Sequence, residues 1–147
     1  MLLRAILAAV IGTVAMTLSS TTEMYWRERP ASVVPGLTAA KLLRIVGIQE
    51  VKGRALDILS YWTHWLYGAA WGVLFWLLIE VVGLGLAAAG IAFFFIVWLI
   101  EQVQLPALGL APPGWTWGAK AVAIDLWHHI AFAAATVAGW VLLGVVG

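Results

Sequence analysis

Apolar residues run along this chain in four long stretches, over residues 2–20, 61–82, 84–105 and 119–146, none with the alternation of a membrane β-strand. A membrane-crossing helix needs about 20 mostly apolar residues, and all four qualify. Only residues 83–85 part the second stretch from the third, which predicts an antiparallel hairpin. Pro106 is expected to end the third helix, because it cannot continue the hydrogen-bond ladder. A Pro-, Gly- and Trp-rich loop, 106–118, leads into the fourth. The expected fold is an all-α integral membrane protein, a single four-transmembrane-helix bundle.

The polar segment, 21–60, holds six of the eight basic residues: Arg27, Arg29, Lys41, Arg44, Lys52 and Arg54. Its first part, with Pro30 and Pro35, reads as a turn and extended connection. From Thr38 onward Leu42, Leu43, Ile45, Val46, Val51, Leu56 and Leu59 interleave with Lys41, Arg44, Glu50, Lys52 and Asp57 at near-helical spacing, interrupted at Gly47 and Gly53. That pattern predicts an amphipathic helix in the membrane interface, running into the second span.

Composition agrees with a bilayer as solvent. Of 147 residues 64% are hydrophobic and 10% charged, whereas a soluble domain is about one quarter charged. A net charge of +1 is too small for counterion-release binding, so nucleic acid is not an expected partner. With no cysteine, disulfides, Fe–S clusters and thiol nucleophiles are excluded. The first stretch ends without an Ala-x-Ala site and is read as a retained span rather than a cleaved leader. Four spans put both termini on one face, against seven basic residues on the other. The positive-inside rule then predicts a cytoplasmic 21–60 loop and both termini outside.

The same topology gathers the ionisable side chains. His64 and Glu101 fall near the loop-side ends of their spans, Asp125, His128 and His129 farther in on the same side, and Glu23 at the loop-side end of the first. Glu80 alone sits at the opposite end. Charges inside a membrane are costly and normally pair or line a cavity. Asp125 precedes His128 by three and His129 by four residues, so it shares a helix face with one or both. Gln102 and Gln104 add acceptors on the third span. Such a cluster can be a neutralised clamp between helices, a proton-handling group, a metal site with His64, His128 and His129 as candidate ligands, or a pocket for an amphipathic ligand. Trp71, Trp98 and His64 could flank a flat cofactor, whose identity the sequence leaves unknown. Small residues at four-residue spacing, Ala8 and Gly12, Gly68 and Gly72, and Ala131, Ala135 and Gly139, predict close helix approach. No zinc-protease helix, phosphate loop or nucleophile elbow is present, so hydrolase and nucleotide-enzyme readings have no residue support.

Four features occur in the order seen in one family: EMYWRERP at residues 23–30 followed by a second proline and an LLRIVG-type helix, His64 with Tyr67 and Gly68, LPALGLAPP at residues 105–113, and Asp125 followed by His129. In these the chain resembles the YagU-like inner-membrane proteins over most of its length. The resemblance implies a small multi-span bacterial inner-membrane protein associated with survival of acid stress, with Glu23, His64, Asp125 and His129 as the matching polar positions. The chain departs from that pattern at Glu101, where a histidine is expected, and at Asp125, where glutamate is commoner. The expected function is proton or acid-stress handling through the carboxylate and histidine cluster. The alternative is a non-catalytic subunit of a larger membrane redox or pigment complex, formed through the ten tryptophans and the small-residue stripes; a homo-oligomer is the expected partner under the autonomous reading instead.

Overall fold

The computed structural model describes residues 1–48 and 51–145. Glu50, read into the amphipathic pattern, and Val146, read as the end of the fourth span, lie outside them. Among the described residues every regular element is helical: α1 (Leu2–Trp26), α2 (Val34–Ile45), α3 (Arg54–Trp76) continued by a π-helical turn (Leu77–Val81), α4 (Leu86–Ala107), a 3-10 turn (Gly114–Thr116) and α5 (Ala119–Val145). α1, α3 with its π turn, α4 and α5 are each long and apolar enough to cross a membrane. Their outward faces carry Leu3, Leu7, Leu66, Ile91, Val103 and Leu142, the arrangement that lipid rather than water accommodates.

α1 is the central helix and packs closely on both α3 and α5, while α4 leans on α5 more than on its hairpin partner α3. Close approach comes from residues without bulk. A Cβ on Gly72 would stand 2.6 Å from Ile6 Cα, and one on Gly12 would overlap Thr136 Oγ1. Gly139 abuts Ala8 and Ile11 in the same way. The small-residue stripes thus mark true helix contacts, with Thr13 and Thr136 as buried partners that spacing alone does not reveal. Toward the hairpin the core is aromatic: Phe75 meets Phe93 edge-on at 5.2 Å and Trp140 at 5.9 Å, and Phe93 meets Phe132 at 5.4 Å. Arg4 lies 4.0 Å over the Trp140 ring and donates from Nε to the Trp140 carbonyl at 2.8 Å.

The hairpin forms where the sequence pattern puts it. Val82 N–H closes the π turn on Leu77 O at 2.9 Å, and Gly83, at φ +77°, turns the chain in the left-handed region that glycine enters freely. Three boundaries differ from expectation. Pro35 begins a helix instead of extending a connection, because the first turn of a helix has no intrahelical N–H bond for proline to lose. The amphipathic segment is two helices, since the chain turns at Gly47 and Gly53, both at positive φ, and α2 packs on α3 through Gly36, whose Cβ would stand 2.8 Å from Leu56 O. α4 runs through Pro106 to Ala107: in the last turn the missing N–H costs one bond, and Leu108 N–H already reaches back to Gln104 O at 3.0 Å.

Candidate functional site

One turn of α5 places His129 directly above Asp125. Its Nδ1 lies 2.9 Å from the Asp125 carbonyl oxygen and 3.5 Å from Asp125 Oδ1. The carbonyl oxygen can only accept, so Nδ1 carries a hydrogen. The ring's other nitrogen, Nε2, lies 2.6 Å from Glu101 Oε2. Both are acceptors until one of them is protonated, and a contact this short needs a proton between them. Glu101 and His129 therefore share one proton across the α4–α5 seam and are neutral as a pair.

Asp125 is the third acid–base group of the cluster. Its Oδ2 accepts from Trp98 Nε1 at 2.8 Å and Gln102 Nε2 at 3.3 Å. Trp98, Glu101 and Gln102 lie at helical spacing on the α4 face that looks toward α5. Gln102, expected as an acceptor, donates here, and its carbonyl end is seated against Gly114, where a Cβ would overlap it. Trp98 spends its N–H on the carboxylate. Replacing Asp125 by Asn is expected to keep the fold, because the amide oxygen still receives both donors. Ala would strand the half-buried Trp98 and Gln102 donors and lower stability by about 1 kcal/mol. Thermal unfolding of the two variants in mild detergent checks the order, and equal melting points would remove Asp125 as an organising acceptor.

Beside the Glu101–His129 pair lies a cavity of about 160 Å³, here called the vestibule, to which all five helices contribute. α2 closes it with Val34, Pro35 and Thr38, and Lys41 one turn on bonds to the Leu108 carbonyl in the α4–α5 loop. His64, Tyr67 and Trp71 enter from α3, Glu101 and Gln104 from α4, and His129 from α5. Tyr67 Oη donates to Gln104 Oε1 at 2.9 Å across the hairpin. Because α3 starts at Arg54, His64 is about 15 Å along the helix at 1.5 Å per residue.

The six polar positions singled out by sequence thus occupy three places. Glu101, Asp125 and His129 are in mutual contact, with His64 on the same vestibule, where its Nε2 is 2.9 Å from Thr17 Oγ1. His128, one residue from His129, is buried and meets Ser19 of α1 through Nδ1 at 2.9 Å, while its Nε2 has no partner among the described residues. Glu23 is held at the end of α1 by Arg27 at 2.7 Å and Arg29 at 2.5 Å, exposed ion pairs worth at most about 1 kcal/mol. Sequence reasoning missed Thr17 and Ser19, although Ser19, seven residues from Gly12 on the same α1 face, was an available signal.

The three histidines named as candidate ligands do not converge, since His128 bonds to α1 through Ser19 while His64 and His129 line the vestibule. Among the described residues Glu101, Asp125 and His129 do converge, with ligand atoms within 4.8 Å of one another. Ligands held about 2.0–2.2 Å from a tetrahedral ion stand about 3.4 Å apart. The 2.6 Å contact is a hydrogen-bond distance, and the arrangement fits a proton in place of a metal ion. No known protein family, curated protein or solved structure matches this chain.

Proposed function

We propose that this chain is an integral membrane protein that takes up and hands on protons through the Glu101–His129 pair, with Asp125 fixing the histidine. The observation that carries the reading is the 2.6 Å contact between two acceptor atoms beside the vestibule, with the second ring nitrogen already committed to a backbone carbonyl. With its one shared proton the group of three carries a single negative charge, and no Lys or Arg among the described residues forms an ion pair with it. An uncompensated charge in a half-buried site is costly, so a second proton is favourably received, either on Glu101 or on Asp125. Reconstitution in liposomes with an internal pH dye tests the proposal: protein-dependent acidification after an external acid jump is expected, and a leak no greater than that of empty liposomes would refute it.

The proposal includes the bacterial inner membrane, the YagU-like resemblance and a role in acid stress, which rest on sequence motifs alone. It also includes orientation, with the 21–60 loop in the cytoplasm and both termini outside. Arg27, at the exposed end of α1, is then cytoplasmic. A cysteine placed there should be protected from an impermeant thiol reagent in intact cells and labelled after permeabilisation; the opposite pattern would invert the topology.

A second reading, an accessory subunit of a larger membrane complex, draws on an apolar groove on the outside of α4 and α5 lined by Gly90, Ala133, Ala134 and Val137. Copurification of one defined large partner from mild detergent would favour it.

A further inference from the structure

α1 carries a short ladder of hydroxyls: Thr13 Oγ1 donates to Ala9 O at 2.8 Å and Thr17 Oγ1 donates to Thr13 O at 2.7 Å. A hydroxyl has a single hydrogen, and Thr17 has spent its own on Thr13. Toward His64 it can only accept, so the 2.9 Å contact is a bond donated by His64 Nε2–H. The neutral ring then has its lone pair on Nδ1. That atom has no protein partner among the described residues and is not sealed from solvent, and the His64 side chain lines the vestibule. The contact with Thr17 is set by the helix approach one turn farther on, where a Cβ on Gly68 would overlap Thr13 Oγ1. Packing of α1 on α3 and the proton inventory of one hydroxyl together select the histidine's tautomer.

We infer that His64 is a second proton-accepting group of the vestibule, with Nδ1 as its working atom, and that it passes protons between vestibule water and the Glu101–His129 pair. The inference rests on the proton-sharing reading of that pair. In uptake, Nδ1 takes a proton from a hydronium ion, leaving water, and the ring becomes an imidazolium still bonded to Thr17 through Nε2–H. The proton then leaves Nδ1 through vestibule water for the Glu101 carboxylate, which becomes a neutral acid beside a protonated His129. Release runs the same steps backward. The other titratable side chain on the vestibule, Tyr67, has its hydroxyl hydrogen on Gln104, and α1 and α2 present no titratable group to it.

The test follows the Glu101 carboxyl infrared band, assigned by its loss in Glu101→Gln, after a rapid pH jump on the full chain in liposomes. In wild type the band should respond. In His64→Gln it should respond at least about 100-fold more slowly, the lower end for loss of a proton-transfer group, and added imidazole should restore the rate. A His64→Gln response as fast as wild type would overturn the inference while leaving the pair intact. A wild-type band that never responds would instead overturn the pair, and the inference with it. Should His64→Gln fail to fold, nitrogen-15 spectra of histidine-labelled wild type decide: a hydrogen on His64 Nε2 is expected, and one on Nδ1 overturns the role.

Discussion

Replacing Gly72 by alanine is expected to destabilise the protein by about 3 kcal/mol, the upper end for a methyl group forced into a filled interface. The added Cβ would stand 2.6 Å from Ile6 Cα, 2.7 Å from Ala5 O and 2.8 Å from Ile6 N. All three are backbone atoms and none can rotate away, so α1 and α3 must separate along their length. Two other glycines calibrate the effect. At Gly139 the nearest atoms are Ile11 Cδ1 at 3.0 Å and Ala8 Cα at 3.2 Å, and a flexible side-chain end can yield, so alanine should cost about 1 kcal/mol. At Gly85 nothing lies within 4 Å and φ is −60°, so alanine should stay within about 0.5 kcal/mol of wild type. Reversible unfolding in detergent or bicelles reads the series. If Gly72→Ala were as stable as Gly85→Ala, the close contact of α1 with α3 would be wrong.

Glu101→Gln is expected to abolish proton handling, with a loss of at least about 100-fold, while leaving the fold intact. The neutral His129 ring keeps its hydrogen on Nδ1 because the Asp125 carbonyl accepts it, so Nε2 remains an acceptor, and the glutamine amide can donate to it in place of the shared proton. The charge is unchanged: the Glu101–His129 pair is neutral with its shared proton, the amide–imidazole pair of the variant is neutral without it, and Asp125 supplies the same single negative charge in both. His129→Leu behaves differently, because it leaves two carboxylates, on Glu101 and Asp125, with no cation between them. Breaking a buried pair in this way costs about 3–5 kcal/mol. Liposome proton flux together with a melting curve separates the two variants, and full flux through Glu101→Gln would remove the pair from the mechanism.

The long helices and the 83–85 hairpin are legible because they depend on the count and continuity of apolar residues, which a sequence displays directly. Helix ends are less so. Pro35 and Pro106 each have a strong prior as breakers, yet both lie within a helix's terminal turn, where the lost bond is small. The site divides along the same line. Spacing establishes that Asp125 shares a face with a neighbouring histidine, and local geometry alone gives the contact with His129. Which partner each side chain meets depends on how α5 is rotated against α1 and α4. That rotation sends His128 to Ser19 and His129 to Glu101, although the two histidines are adjacent. Helix rotation is fixed by packing at Gly12, Thr136 and Gly139, a property of two surfaces together that neither stretch of sequence carries alone.

The division of the pair between α4 and α5 bears on how such a chain is made. Under the proposed membrane reading, with spans threaded in order of synthesis, α4 would arrive before α5 has left the ribosome, and Glu101 would cross without His129. An acidic side chain costs up to about 3 kcal/mol at the centre of a lone span and less toward an end, where Glu101 lies. α4 has the highest mean hydropathy of the four, 2.0 over its most apolar window, and can carry that penalty unaided. α5, at 1.5, carries Asp125 and both histidines, and enters where Glu101, Trp98 and Gln102 already wait for Asp125 and His129, and Ser19 for His128. The order of the helices along the chain thus lets the more apolar span bear the unpaired acid first and prepare the polar seam for the span that follows.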